Sequence, residues 1–189
     1  MNNFKHLSLI LMVSSVFFVS AGHAQTCYDS HNLMTATNKD FIKHGEGVVT
    51  HLPTGLMWKQ CLEGVSGATC TEGNKLDLSW GDALNQVKAV NDADVGFAGY
   101  RDWRLPNPKE VMSIMEFGCH RPAINLAVFP NMPAVRIWLS TASEKVGNLK
   151  SWFANYGEAE VNGDSGTVSD LNANRESQLY SVHLVRGAQ

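Results

Sequence analysis

The sequence has 189 residues, with 15 Lys and Arg against 18 Asp and Glu, and a formal net charge of −3. That balance, with no run of basic residues, excludes a nucleic-acid binder held by a broad cationic face and a protein drawn to anionic membranes. A chain of this length folds as one domain, and a second full domain would be cramped.

The N-terminus carries Lys5, an apolar run from Leu7 to Val19, and Ala21-Gly22-His23-Ala24. This is the three-part layout of a secretory signal peptide over residues 1–24, with cleavage expected after Ala24. The apolar run is too short for a comfortable membrane span, and no second run of that kind follows, so the mature chain is expected to have no membrane span. Ala24-Gln25-Thr26 before Cys27 is not a lipoprotein context, which argues against a lipid anchor. Removing 24 residues from 189 leaves 165, with 14 basic against 18 acidic side chains and a net charge of −4. The expected location is secreted or periplasmic.

Four cysteines remain, Cys27, Cys61, Cys70 and Cys119, and an even count in an exported chain points to two disulfides with three possible connectivities. Cys61 and Cys70 bracket a short loop containing Gly64 and Gly67 that a local bridge would close. That pairing leaves Cys27 to staple the N-terminus onto Cys119. A zinc site is the rival reading, but no CxxC or HxxxH spacing supports it.

Residues 25–44 read as a polar arm whose one firm attachment is the Cys27 bridge, and residues 45–189 as the domain proper. Gly47 to His51 and Gly55 to Lys59 flank Leu52-Pro53-Thr54 as a hairpin. Ser79 caps a helix over Trp80 to Asn91, where Trp80, Ala83, Leu84, Val87 and Val90 make one apolar stripe. Asn91-Asp92-Ala93-Asp94 lacks the Gly and distal Glu of an EF-hand, so it reads as a solvated helix end.

Gly99-Tyr100-Arg101-Asp102-Trp103-Arg104-Leu105-Pro106 then organises the chain. Pro106 biases Leu105 to an extended conformation, and Asn107-Pro108-Lys109-Glu110 supplies an N-cap, a first-turn Pro and a capping-box acid. The spacing predicts a second helix from Pro108 to about Phe117. An Arg beside a buried Trp and near Glu110 is expected to form an internal ion pair. Ala123 to Pro133 is expected to be ordered without regular structure, with Ile124, Leu126 and Phe129 pointing inward.

The last third reads as strands at Arg136 to Ala142, Ser151 to Tyr156, Glu158 to Val161 and Leu179 to Val185. In the last of these, Tyr180, Val182 and Leu184 face one side. Asn162 to Gly166 and Asn172 to Arg175 are polar enough to be exposed loops. There is no GxSxG elbow and no glycine-rich phosphate loop, and His183 lies alone in a strand pattern. Glu158, Glu160 and Asp164 read as a solvated edge. No catalytic residue, cofactor or metal site is nominated.

Thr54-Gly55-Leu56-Met57-Trp58, Trp80 with Ala83-Leu84, the Gly99 to Pro106 stretch, and Lys109-Glu110 together resemble a known family. Asn125 with Phe129-Pro130, Trp138 with Ser140-Thr141, and Val185-Arg186-Gly187 complete the pattern. The chain resembles the Lcl C-terminal domain family, named for the adhesive domain of a collagen-like bacterial surface protein, over roughly Gly45 to Gly187. The four cysteines resemble those of its single-domain exported members, which supports the bridges Cys61 to Cys70 and Cys27 to Cys119.

The resemblance implies an α+β, C-type-lectin-like fold: two helices packed on a twisted, mostly antiparallel sheet with long irregular loops. It implies a core built on Trp58, Trp80, Trp103, Arg104, Leu105, Pro106, Glu110 and Trp138. Family members are associated with adhesion and with sulfated polysaccharides. The expected function is an exported, non-catalytic binding domain, adhesin-like or carbohydrate-recognising, with a surface glycan or protein as partner. Its alternatives are a structural subunit of a surface assembly and an enzyme of the formylglycine-generating type. Lys145, Asn148, Lys150, Asn162, Asp164, Asn172 and Arg175 are the candidate ligand-binding residues. Trp152, Tyr156 and Tyr180 are the candidate sugar-stacking rings.

Overall fold

The computed structural model describes residues 25–28, 34–142, 151–157, 168–169 and 178–187. Its strands are β1 (Thr26–Cys27), β2 (Phe41–Lys43), β3 (Val48–His51), β4 (Leu56–Lys59), β5 (Val65–Ser66), β6 (Glu72–Gly73) and β7 (Asp77–Leu78). After helices α1 (Trp80–Asp92) and α2 (Pro108–Ile114) come β8 (Cys119–His120), β9 (Arg136–Ala142), β10 (Ser151–Asn155), β11 (Val168–Ser169), β12 (Tyr180–Ser181) and β13 (Val185–Arg186). The fold is α+β. A four-stranded sheet runs β13-β4-β3-β2 and a five-stranded one β11-β10-β9-β12-β7. Among the described strands, β12 with β9 is the one parallel pairing.

Both helices start where capping chemistry places them. Ser79 Oγ accepts the Asp82 N–H, and at α2 Asn107 and Glu110 exchange side-chain and backbone bonds in a full capping box. Helix α2 ends at Ile114 rather than near Phe117, because Met115 turns extended and bridges Ile124. Across that bridge Glu116 N–H donates to Ala123 O, Met115 O accepts from the Thr35 hydroxyl, and Met115 is completely buried.

The Gly99 to Pro106 stretch ties the elements together. Trp103, 1% exposed, donates its indole N–H to Phe97 O, while Asn91 brackets its backbone from α1 with two hydrogen bonds. Asn91, read from sequence as part of a solvated helix end, is therefore committed to the Trp103 backbone. Arg104 pairs backbone to backbone with Val185, and Pro106 O accepts the Ser140 N–H of β9. The guanidinium of Arg104 forks onto Glu110 at 2.8 and 2.6 Å, the expected ion pair. Burial works against ionisation of Glu110, yet the Arg104 and Asn107 bonds hold its carboxyl below the usual range. Gly96 at φ 65° closes the turn into this stretch, where a Cβ would lie 2.0 Å from Tyr100 O.

Two apolar clusters fill the interior. One gathers Trp58, Ile114, Phe129, Ile137 and Tyr156, and the other Trp103, Leu105, Trp138, Tyr180, Val182 and Leu184. The expected common face of Tyr180, Val182 and Leu184 is present, but the strand predicted over 179–185 is split into β12 and β13. Between them Val182 O accepts from Glu63 N, outside either ladder, and Leu184 O accepts from Lys59 N where the pairing with β4 begins.

The arm is bound more widely than the sequence implied. Phe41–Lys43 joins the four-stranded sheet as its edge, and fully buried Glu116 accepts N–H bonds from Thr35, Ala36 and Gly118, each at 2.9 Å. A buried carboxylate is stable in such a place because backbone donors replace its water. Both bridges are formed, Cys27–Cys119 and Cys61–Cys70. The predicted strand over 158–161 lies outside the described residues.

Candidate functional site

The Cys27–Cys119 bridge fixes the chain at the edge of a wide cleft that Gln25 and Arg121 help to line. Its two cysteines are paired in the β1–β8 ladder, which sets Thr26 opposite His120 and holds Tyr28 by its N–H to Gly118 O. Gln25 is thereby laid along the chain beyond β8, where its carboxamide donates to Pro122 O and Ile124 O, both at 2.7 Å. The cleft has a volume of about 730 Å³, and Gln25, Arg121, Asn131, Arg136, Asn155 and Gly157 are among its lining residues.

Two guanidinium groups dominate its chemistry. Arg121 stands at φ 53° in the turn after β8, and Arg136 opens β9 opposite Asn155 of β10. Neither makes an ion pair among the described residues. Arg136 instead lies 5.5 Å from the Phe153 ring and 5.9 Å from the Tyr180 ring, a cation held against aromatic faces. The amides around them are already engaged: Asn131 donates to Thr69 O, and Asn155 Oδ1 accepts the Gly157 N–H. Next to Arg121, the ring of Tyr28 is 43% exposed and stacks nearly parallel on His120, with centroids 5.9 Å apart.

Elsewhere Arg186 and His183, both buried, are internally paired. Arg186 is buried, bonds Asp102 at 2.6 Å and lies 3.8 Å from the Tyr100 ring. Nε2 of His183 points at Lys59 O at 2.7 Å, and Nδ1 meets the Tyr156 hydroxyl at 2.9 Å. Burial lowers the His183 pKa to about 4, so the ring is neutral at pH 7.

Lys145, Asn148, Lys150, Asn162, Asp164, Asn172 and Arg175 all lie outside the described residues. Of the proposed stacking rings, Tyr156 is fully buried and Tyr180 nearly so, while Trp152 is half-buried. Tyr156 is a core residue because its hydroxyl is needed by His183. Among the core residues named from sequence, Trp58, Trp103, Leu105, Pro106 and Trp138 are buried, whereas Trp80, Arg104 and Glu110 are half-buried. Trp80 and Trp138 donate their indole N–H groups to Leu139 O and Leu78 O.

Arg121, Arg136 and Tyr28 were not singled out from sequence. A signal existed for the arginines. Like Arg186, neither has an acidic residue within four positions, and of the three only Arg186 finds one through the fold among the described residues.

The sequence model of the family described as the Lcl C-terminal domain matches residues 47–186. No curated protein and no solved structure matches the chain.

Proposed function

The chain belongs to the Lcl C-terminal domain family, and on that footing we propose that it is an exported, non-catalytic binding domain whose target is a carbohydrate bearing negative charge. One observation carries the reading: two guanidinium groups without ion-pair partners among the described residues line one cleft, and His120, the neighbour of Arg121 in the chain, stacks on an exposed tyrosine. Guanidinium groups bind sulfate and carboxylate groups in a bidentate way, and a tyrosine face accepts the apolar side of a sugar ring. The net acidity of the whole chain argues against a broad polyanion-binding face. A local pair of arginines asks for a short charged motif instead.

Other features agree with this reading. Two disulfides suit an oxidising compartment, and no helix among the described residues is long and apolar enough to cross a membrane. All four cysteines are bridged, which leaves no thiol for an oxidase of the formylglycine-generating kind.

The test is a glycan array carrying sulfated, carboxylated and neutral polymers, probed with the processed chain at two salt concentrations. Binding to charged glycans that weakens with salt and disappears in the Arg121→Ser/Arg136→Ser double variant is the expected result. Charged-glycan binding unaffected by the double variant moves the site elsewhere, and no glycan binding at all makes a protein partner the better reading.

A further inference from the structure

A second cleft lies elsewhere on the molecule and shares no lining residue with the first. One wall is the β2–β3 turn, closed by the His44 N–H to Val48 O and by Glu46 and Gly47 at φ 64° and 74°. The other is the loop tied by Cys61–Cys70, which presents Val65, Ser66, Gly67 and Ala68. Lys59, Gln60 and Phe97 also line this cavity of about 530 Å³. We propose that it is a binding site for one neutral, hydroxyl-rich ring of monosaccharide size.

The charges around the cleft favour an uncharged ligand. Lys59 is buried and ion-paired to equally buried Glu63, whose second oxygen accepts from Gln86 Nε2 at 2.9 Å. The Lys59 ammonium also sits 3.8 Å from the Phe97 ring centroid. Lys43, at the end of β2, sends its ammonium to Ala127 O and Glu46 lies on the turn, so the lining together with buried Glu63 holds two cations and two anions. Because Glu63 already neutralises Lys59, neither a carboxylate nor an ammonium ion finds an unmatched buried charge there.

The directional groups favour hydroxyls. An ammonium carries three N–H donors, and among the described residues Lys59 has Glu63 as its one hydrogen-bond acceptor. Gln60 is 9% exposed and donates Nε2 to Val128 O at 2.8 Å, while its Oε1 takes no proton among the described residues. A hydroxyl accepts from the first and donates to the second without bringing charge. Phe97 and the Val65 and Ala68 side chains supply carbon surface for a sugar's apolar face, and the cavity falls within the size range of small-ligand sites.

The test is amide-resolved NMR titration of the processed chain with the methyl glycosides of glucose, galactose and N-acetylglucosamine, with glucuronate and glucosamine as charged controls. The expected result is a Kd of ~mM for a neutral glycoside. It comes with shifts at Gly45, Gln60 and Ala68, no dependence on salt, and no change in the Arg121→Ser/Arg136→Ser variant. Gly45→Trp and Ala68→Trp are the blocking variants; a Cβ on Gly45 meets nothing within 4 Å, and Ala68 is exposed. Each should weaken binding about tenfold or more. Absence of shifts at these amides with every neutral glycoside overturns the proposal, as does undiminished binding in both blocked variants or tighter binding of a charged control. Because the two clefts share no residue, this outcome and that of the arginine cleft are read separately.

Discussion

Tyr156 donates its hydroxyl to Nδ1 of His183 at 2.9 Å, and neither side chain has any exposed surface. The direction follows from the other ring nitrogen: Nε2 faces Lys59 O, a carbonyl that only accepts, so Nε2 carries the proton and Nδ1 must receive one.

Burial of the His183 ring, which disfavours its charged form, makes stability fall with acid. The folded His183 pKa of about 4 lies below the ordinary value of 6.5, so its stabilising contribution is complete above 6.5 and is lost as pH falls from there toward 4. The loss is on the order of 3 kcal/mol across that window. Thermal unfolding at pH 7.5 and pH 5 should show the drop, and His183→Gln should be less stable at pH 7.5 with a flatter response. An equally steep response in the variant would assign the acid sensitivity to another group.

Lys59 and Glu63 form a buried ion pair. Removing the cation alone, as in Lys59→Met, leaves an unpaired carboxylate inside and should cost about 3 to 5 kcal/mol in urea unfolding. The double variant Lys59→Met/Glu63→Leu should recover most of that loss. If it is no more stable than the single variant, the pair contributes more than its own desolvation cost.

The two bridges should differ in what they contribute. Cys27–Cys119 closes a separation of 92 residues and Cys61–Cys70 one of 9. Loop-entropy reasoning gives roughly 4 to 5 kcal/mol for the first and roughly 2 to 3 for the second. Serine pairs at each, compared by Tm, should rank in that order. Loss of Cys27–Cys119 should also weaken binding at the arginine cleft, because Gln25 and Tyr28 lose their anchor.

Single replacements Arg121→Ser and Arg136→Ser should each reduce affinity for a charged glycan about fivefold, a modest effect because both side chains are exposed to solvent. Each should also lower the salt dependence. Tyr28→Ala should weaken binding while leaving the salt dependence unchanged. A Tyr28 variant that binds normally would remove the ring from the site.

Much of the interior was legible because local rules and tertiary demands agree there. Ser79 and Asn107 cap helices in solution peptides and in this fold for the same reason, and Trp103, Arg104 and Glu110 meet within a few residues of chain. The arm misled because its main anchor, Glu116, lies 80 positions from Ala36, and nothing in a polar stretch announces a distant buried carboxylate. The arginine cleft was hidden for the same kind of reason. Gln25, Arg121 and Arg136 come together only through β1, β8 and β9, and no local pattern carries that proximity.

The segment 180–186 has a part in both large sheets. Tyr180–Ser181 is an interior strand of the five-stranded sheet, the one link between β9 and β7 among the described residues, whereas Val185–Arg186 only adds an edge to β4. A chain cut before Tyr180 would leave the backbone edges of β9 and β7 unpaired and open to proteases.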